Sequence, residues 1–163
     1  MMGNTLLSEG DRTMKSEGTL KEYAEKRQFQ KTPEPKPEVK DTGQHRFVVQ
    51  EHHSSHLHWD FRLEHEGVLK SWAVPKGVPE EPGVRRLAVQ TEDHPVDYIT
   101  FEGEIPEGEY GAGTVKIWDK GTFEAEKTEP NEYLIDLHGE RLDGRYALIH
   151  TRDNQWIMLK RKT

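Results

Sequence analysis

From Arg46 onward, apolar and polar residues trade places with a period of about two rather than about 3.6, which predicts strands instead of helices. The runs RFVVQEH (46–52), LHWDFRL (57–63), VLKSWAVP (68–75), RRLAVQT (85–91) and GTVKIW (113–118) follow this rule. So do GTFEAEK (121–127), EYLIDLH (132–138), RYALIH (145–150) and QWIMLK (155–160). Turn-forming pairs separate several of them: Glu66-Gly67, Lys120-Gly121, Asp143-Gly144 and Asp153-Asn154. Many short strands with frequent turns predict a mostly β chain, an antiparallel barrel or sandwich whose closure hides its edges. No internal repeat is evident.

Before Arg46 the pattern changes. Residues 1–44 hold only Tyr23 and Phe29 as aromatics and read as Lys, Glu, Pro, Thr and Gly. Residues 1–18 carry too few apolar side chains to fold and are expected to be a disordered N-terminus. TLKEYAEKRQF (19–29) predicts a short helix, with Thr19 as its cap and Glu22 completing a capping box. In KTPEPKPEVKDTGQ, prolines at 33, 35 and 37 force extended backbone. This stretch reads either as a linker or as an arm laid across the domain. The division expected is 1–18 disordered, 19–44 helix plus Pro-rich arm, and 45–163 the β domain.

Composition narrows the classes. A chain of 163 residues suits one domain. It contains no cysteine, which excludes disulfides and thiolate metal sites. The net charge of -7 argues against a nonspecific nucleic-acid coat, though not against a local basic pocket. No apolar run is long enough for a transmembrane helix, and MMGNTLLSEGDR lacks the apolar stretch of a signal peptide. The expected compartment is the cytoplasm, with no membrane partner.

The densest chemistry lies in EHHSSHLHWDFRLEHEG (51–67). Strand alternation places His58, Asp60 and Arg62 on one face, and Leu57, Trp59, Phe61 and Leu63 on the other. Successive members of the polar set have Cα atoms about 7 Å apart, so an imidazole and a carboxylate can lean onto one ion. Arg62 stands one step further, where a guanidinium can grip two phosphate oxygens. His52, His53 and His56 are candidates for a third ligand. Of these, His52 ends the preceding strand, and a turn through Ser54-Ser55 returns it beside His58. Nitrogen and oxygen ligands without sulfur fit Mn, Zn, Fe, Co or Ni. The competing reading is the solvated face of an amphipathic strand, and His56 and His65 are read as surface residues.

Further along, His94 stands in a loop between Asp93 and Pro95, with Tyr98 four residues on. The glycines at 108, 111 and 113 do not form a Walker loop, since no Lys-Ser/Thr follows, and are read as tight backbone turning. Lys76, at the end of SWAVPK, offers a cation for a phosphate.

Taken together, FVVQEHHSSHLHWDFRLEHEGVLKSWAVPKG, RRLAVQTEDHPVDY and FEGEIPEGEYGAGTVKIWDKGTF resemble the 3′-phosphoesterase domain of DNA ligase D, from about Tyr23 to the C-terminus. The resemblance implies a β-barrel core and a manganese-dependent enzyme, for which Co2+ or Zn2+ are other possible ions. It implies action on DNA or primer-template 3′ ends in end joining, beside a ligase, a polymerase and end-binding proteins. The implied reactions remove a terminal ribonucleoside to leave a 3′-phosphate, then convert that phosphate to a 3′-hydroxyl. By position it implies His52, His58 and Asp60 as metal ligands, Arg62 and His94 at the scissile phosphate, and Tyr98 holding it. Lys76 and Arg86 match further basic positions. KRQFQKTPEP resembles the family's arm segment, so Arg27 and Glu34 correspond to functional residues. Gln28 stands where the pattern often has Asp; a neutral amide supplies no carboxylate charge, which bears on the diesterase step.

Two other readings compete. An iron oxygenase with a two-His, one-carboxylate face could use His58, Asp60 and His94, but would leave Arg62 and His52 without roles. A non-catalytic DNA-end binding module would bind without metal and turn nothing over.

Overall fold

The alternating runs form strands whose pairing closes on itself. A computed structural model describes residues 20–162 of the chain. Its strands are β1 (Arg46–His53), β2 (Leu57–His65), β3 (Val68–Val74), β4 (Arg85–Gln90), β5 (His94–Pro95), β6 (Gly103–Ile105), β7 (Gly113–Glu129), β8 (Glu132–Gly139), β9 (Asp143–Arg152) and β10 (Gln155–Lys160). The order β1-β2-β3-β4-β10-β9-β8-β7 returns to β1 through β1–β7 pairing, giving an eight-stranded antiparallel barrel. β5 adds to β3, and β6 adds to the start of β7. Of the two architectures the alternation allowed, the closed one forms.

Lys120-Gly121, expected as a turn between two strands, lies inside β7 instead. β7 is one strand of 17 residues that pairs with β1 along its first part and β8 along its second. Gly121 is not a turn residue. A Cβ there would run into the carbonyl of His138, so glycine permits the close approach of β8. Asp143-Gly144 likewise opens β9 rather than turning, and the bend falls at Glu140 and Arg141. Glu66-Gly67 and Asp153-Asn154 do turn, with Glu66 and Asp153 both at positive φ, 50° and 51°.

Two apolar clusters share one wall. Inside the barrel pack Phe47, Val49, Phe61, Leu63, Trp72, Val74 and Trp156, among others, with Trp72 and Trp156 edge to face at 5.4 Å. Outside the β1–β2–β3 wall lies a second cluster, Val48, Leu69 and Val115 covered by Tyr23, Tyr98, Ile99 and Phe101. Tyr98 and Ile99 belong to a 3-10 turn, Val96–Thr100. Both faces of the wall are therefore covered, and its outward polar residues are enclosed rather than solvated.

The arm supplies part of that cover. Helix α1 runs only over Lys21–Glu25, shorter than the 19–29 expected. It stops because Arg27 turns its guanidinium back onto the Tyr23 carbonyl at 3.0 Å, while the amides of Lys31 and Thr32 close a turn on Gln28. The Thr19 cap and the 1–18 segment lie outside the described residues. Tyr23 is fully buried and donates to the Pro35 carbonyl at 2.6 Å, tying helix to proline segment. Further on, the Lys40 amide donates to Gly67 at 3.0 Å, and its ammonium pairs with Asp97 at 3.0 Å. Among the described residues no helix is long and apolar enough to cross a membrane.

Candidate active site

The register of β1 against β2 sets His52 opposite His58 and Gln50 opposite Asp60. All four project from the outer face of the wall. One ligand atom from each of His52, His58 and Asp60 lies within 4.8 Å of the others. His52 Nδ1 is 3.6 Å from Asp60 Oδ2, and His58 Nε2 is 3.3 Å from the same oxygen. Each ring is oriented from behind: His52 Nε2–H donates to the Gly111 carbonyl at 2.8 Å, and His58 Nδ1–H to His56 at 3.0 Å. These bonds leave His52 Nδ1 and His58 Nε2 as the lone pairs turned toward Asp60, the arrangement that metal-ligating histidines adopt. Burial pushes the Asp60 carboxyl up, but the neighbouring Arg62 guanidinium overcomes it and holds the group far below the usual carboxylate range. A full carboxylate and two oriented imidazoles fit a divalent transition metal.

Arg62 follows on the same face. Its Nε donates to Gln50 at 2.7 Å, one Nη lies 3.6 Å from Asp60, and the guanidinium sits 4.9 Å from the Tyr98 ring centroid. The other, Nη1, is buried with no partner among the described residues. Leaving a buried charged donor unpaired is costly, so this N–H invites an oxygen. Gln50 in turn donates to the carbonyls of Tyr98 and Phe101 at 2.9 and 3.1 Å.

β5 pins His94 beside Leu69 of β3. Its Nδ1–H donates to the Glu92 carbonyl at 2.9 Å, leaving Nε2 as the acceptor. Burial, with Arg62 and Arg27 nearby, pushes the imidazole well below its ordinary value, so it is neutral. Tyr98 donates to Glu34 at 2.6 Å. The arm reaches the same place: Arg27 and Thr32 also bond Glu34, at 3.0 and 2.9 Å. Glu92 pairs with Lys26 at 2.8 Å and Arg27 at 3.6 Å. Arg27, Glu34, Arg62, His94, Tyr98 and the His-His-Asp group all line one cavity of about 680 Å³.

Residues 50–150 match the family described as the DNA ligase D 3′-phosphoesterase domain. The chain belongs to that family. It is 54% identical over 144 residues to the multifunctional non-homologous end joining DNA repair protein LigD of Mycobacterium tuberculosis, covering 85% of this chain and 19% of the relative. Against the multifunctional non-homologous end joining protein LigD of Pseudomonas aeruginosa it is 50% identical over 161 residues, covering 91% of this chain and 19% of the relative. The Mycolicibacterium smegmatis protein of the same name is 49% identical over 156 residues, covering 88% of this chain and 20% of the relative. The chain thus spans about a fifth of the length of these relatives.

Other residues singled out by the phosphoesterase resemblance lie apart. Lys76 and Arg86 line a separate cavity of about 320 Å³ with Trp59 and Trp118. Trp59 sits between His58 and Asp60 in β2, so alternation turns it toward the inner side. The Arg86 guanidinium donates to the carbonyls of Lys76 and Gly77. Gln28 is exposed and outside the cavity lining. His53, a third-ligand candidate from the spacing, lines the candidate cavity but is exposed, pairs with Glu51 at 2.7 Å and stands outside the His52, His58 and Asp60 group. For the oxygenase set, the structure brings His52 rather than His94 beside His58 and Asp60.

Three groups escaped the sequence reading. Gln50 shares the His52 face two positions earlier, so alternation alone could have flagged it. Glu92 had no local signal, because its partners come from the arm. Gly111 does more than turn the backbone: its carbonyl orients His52.

Proposed function

We propose that the chain is a metal-dependent 3′-end-healing phosphoesterase. Its substrate is a DNA or primer-template 3′ end, from which it removes a terminal ribonucleoside and then the 3′-phosphate left behind, yielding a 3′-hydroxyl. The observation that carries this reading is that Arg62, whose buried Nη1 has no partner among the described residues, lines the cavity that holds the His52, His58 and Asp60 group. A cluster of ligands beside an unsatisfied guanidinium donor suits a phosphoryl oxygen.

His52, His58 and Asp60 would hold Mn2+, with Co2+ or Zn2+ as other ions of suitable ligand preference. Held there, such an ion would supply Lewis-acid charge to a phosphoryl group. Arg62 donates to a non-bridging oxygen, preset by its bond to Gln50 and its ion pair with Asp60. His94 enters neutral and becomes a donor only when phosphate charge offsets the two nearby guanidiniums. Tyr98 positions the group through Glu34. Arg27 and Glu34 brace the arm, so residues 19–44 act as part of the domain over 45–163. Lys76 and Arg86, lining the other cavity, contact nucleic acid away from the scissile phosphate. The relatives' names connect those proteins to non-homologous end joining, and the partners proposed here are a separate ligase, a polymerase and end-binding proteins acting on the same ends.

The test is a labelled primer-template ending in one 3′ ribonucleotide, beside the same primer ending in 3′-phosphate, each with manganese and with or without a chelator. Chelator-sensitive conversion to a 3′-phosphate and then a 3′-hydroxyl is the expected result. A folded, manganese-loaded protein that converts neither substrate overturns the proposal.

A further inference from the structure

The candidate cavity, at about 680 Å³, is larger than a phosphate needs. Its charged groups gather around Asp60 and Arg62, but part of the lining is aromatic. Tyr98 is 2% exposed, packed edge-on against His94 with centroids 4.7 Å apart, and its hydroxyl is engaged by Glu34. Tyr110 differs. It lines the same cavity, yet it is 46% exposed.

Its position is fixed by the loop that carries it. The amides of Glu109 and Ala112 donate to Pro106 and Glu109, each at 3.1 Å, and Gly108 and Gly111 take positive φ at the bends. The next residue, Gly111, accepts from His52, so the ring's place is coupled to the metal-ligand group. Lys26 Nζ lies 4.7 Å and Arg27 Cζ 5.3 Å from the ring centroid, and Lys26 also donates to the Tyr110 hydroxyl at 3.4 Å, so two cations just after α1 lean on the phenol.

We infer that Tyr110 is the platform on which the terminal nucleobase of the substrate stacks. This rests on the 3′-end phosphoesterase reading and adds to it the subsite for the departing nucleoside. Such a nucleoside brings an apolar π face that has to leave water, and Tyr110 is the lining phenol that, beside the two cations, keeps 46% of its surface exposed to meet it. Stacking tolerates any base, as an end-healing enzyme requires. A 3′-phosphate end carries no base beyond the scissile bond. Tyr110 therefore separates the two substrates: it serves ribonucleoside removal and contributes little to phosphate removal.

The test measures binding, with chelator present so that nothing is cut. A primer-template ending in a 2-aminopurine ribonucleotide reports stacking of its last base by fluorescence quenching, and a 3′-phosphate primer is the comparison. Tyr110→Leu is expected to abolish the quench and weaken the ribonucleoside-ended primer about tenfold more than the 3′-phosphate primer. Tyr110→Trp is expected to restore both. Equal binding of both primers by Tyr110→Leu and the parent protein, or parallel weakening of both, overturns the assignment; the second result reduces the ring to a brace for α1. A parent protein that quenches the terminal base but cuts neither primer in manganese removes the phosphoesterase reading and leaves the stacking platform in place.

Discussion

His52 and His58 stand opposite one another across β1 and β2, their ring centroids 4.8 Å apart, and both face Asp60. Neither ring belongs to an apolar cluster, and each is aimed by a backbone carbonyl rather than by packing. His58→Ala should therefore keep the barrel and lose the ion. Removing a residue that merely orients a ligand costs roughly 10–100-fold in metal affinity, so removing the ligand itself costs more than about a hundredfold. Manganese titration beside a circular-dichroism melt checks this. Stoichiometric binding by a folded His58→Ala variant would take His58 out of the metal group.

Four buried phenols set a limit at alkaline pH. Burial pushes Tyr133 up to about 12 and Tyr23 and Tyr146 further, and it raises Tyr98 well above the ordinary phenol value. Above a pH of about 10 the unfolded chain releases these protons while the folded protein keeps them. Their stabilising contribution is complete below that point and is lost as pH rises toward the folded values. Each loses about 1.4 kcal/mol per pH unit through this window. Unfolding should set in between about pH 10 and 12, with phenolate absorbance and loss of circular dichroism rising together. Full phenolate absorbance in a still-folded protein would contradict it.

Much of this was legible because a barrel wall writes its two sides into the sequence. RFVVQEH and LHWDFRL alternate since every second side chain enters the interior, and the same alternation put His58, Asp60 and Arg62 together. It could not tell that the polar side is covered as well, since the cover comes from Tyr23 and the turn bearing Tyr98, remote in sequence. β5, β6 and the 3-10 turn are too short to carry a period and are held by β3 and β7. Gly121 misled for a physical reason: glycine serves a tight turn and a close strand approach equally well. Lys76 and Arg86 are basic in either cavity, and only the folded chain separates them from Arg62.

Asp119 offers a test of the barrel itself. It is 2% exposed and accepts from the amides of Glu140, Arg141 and Leu142 at 2.9, 3.1 and 2.8 Å, closing the bend between β8 and β9. Asp119→Ala strands three donors at once. Only the Leu142 bond is fully buried, so at about 1–3 kcal/mol for a buried group left unmade a loss of roughly 2 kcal/mol is expected. Urea denaturation measures it, and a midpoint matching the parent's would show that water replaces the carboxylate.

Glu34 joins the arm to the site. Its carboxylate receives Arg27, Thr32 and Tyr98, and the Arg27 and Glu34 side chains are 4% and 0% exposed. Removing one member of a buried ion pair costs about 3–5 kcal/mol because the other charge stays buried and unpaired. Arg27 retains Glu92 at 3.6 Å, so the loss from Glu34→Ala should fall near the lower end. The metal ligands sit on β1 and β2 and do not touch Glu34, so manganese binding should survive. The arm, in contrast, should loosen, speeding proteolysis within residues 20–44 and lowering turnover of both 3′ ends at least tenfold or so. Unchanged proteolysis with lost activity would assign Glu34 to direct substrate contact. Unchanged activity with a released arm would show that the barrel acts without it.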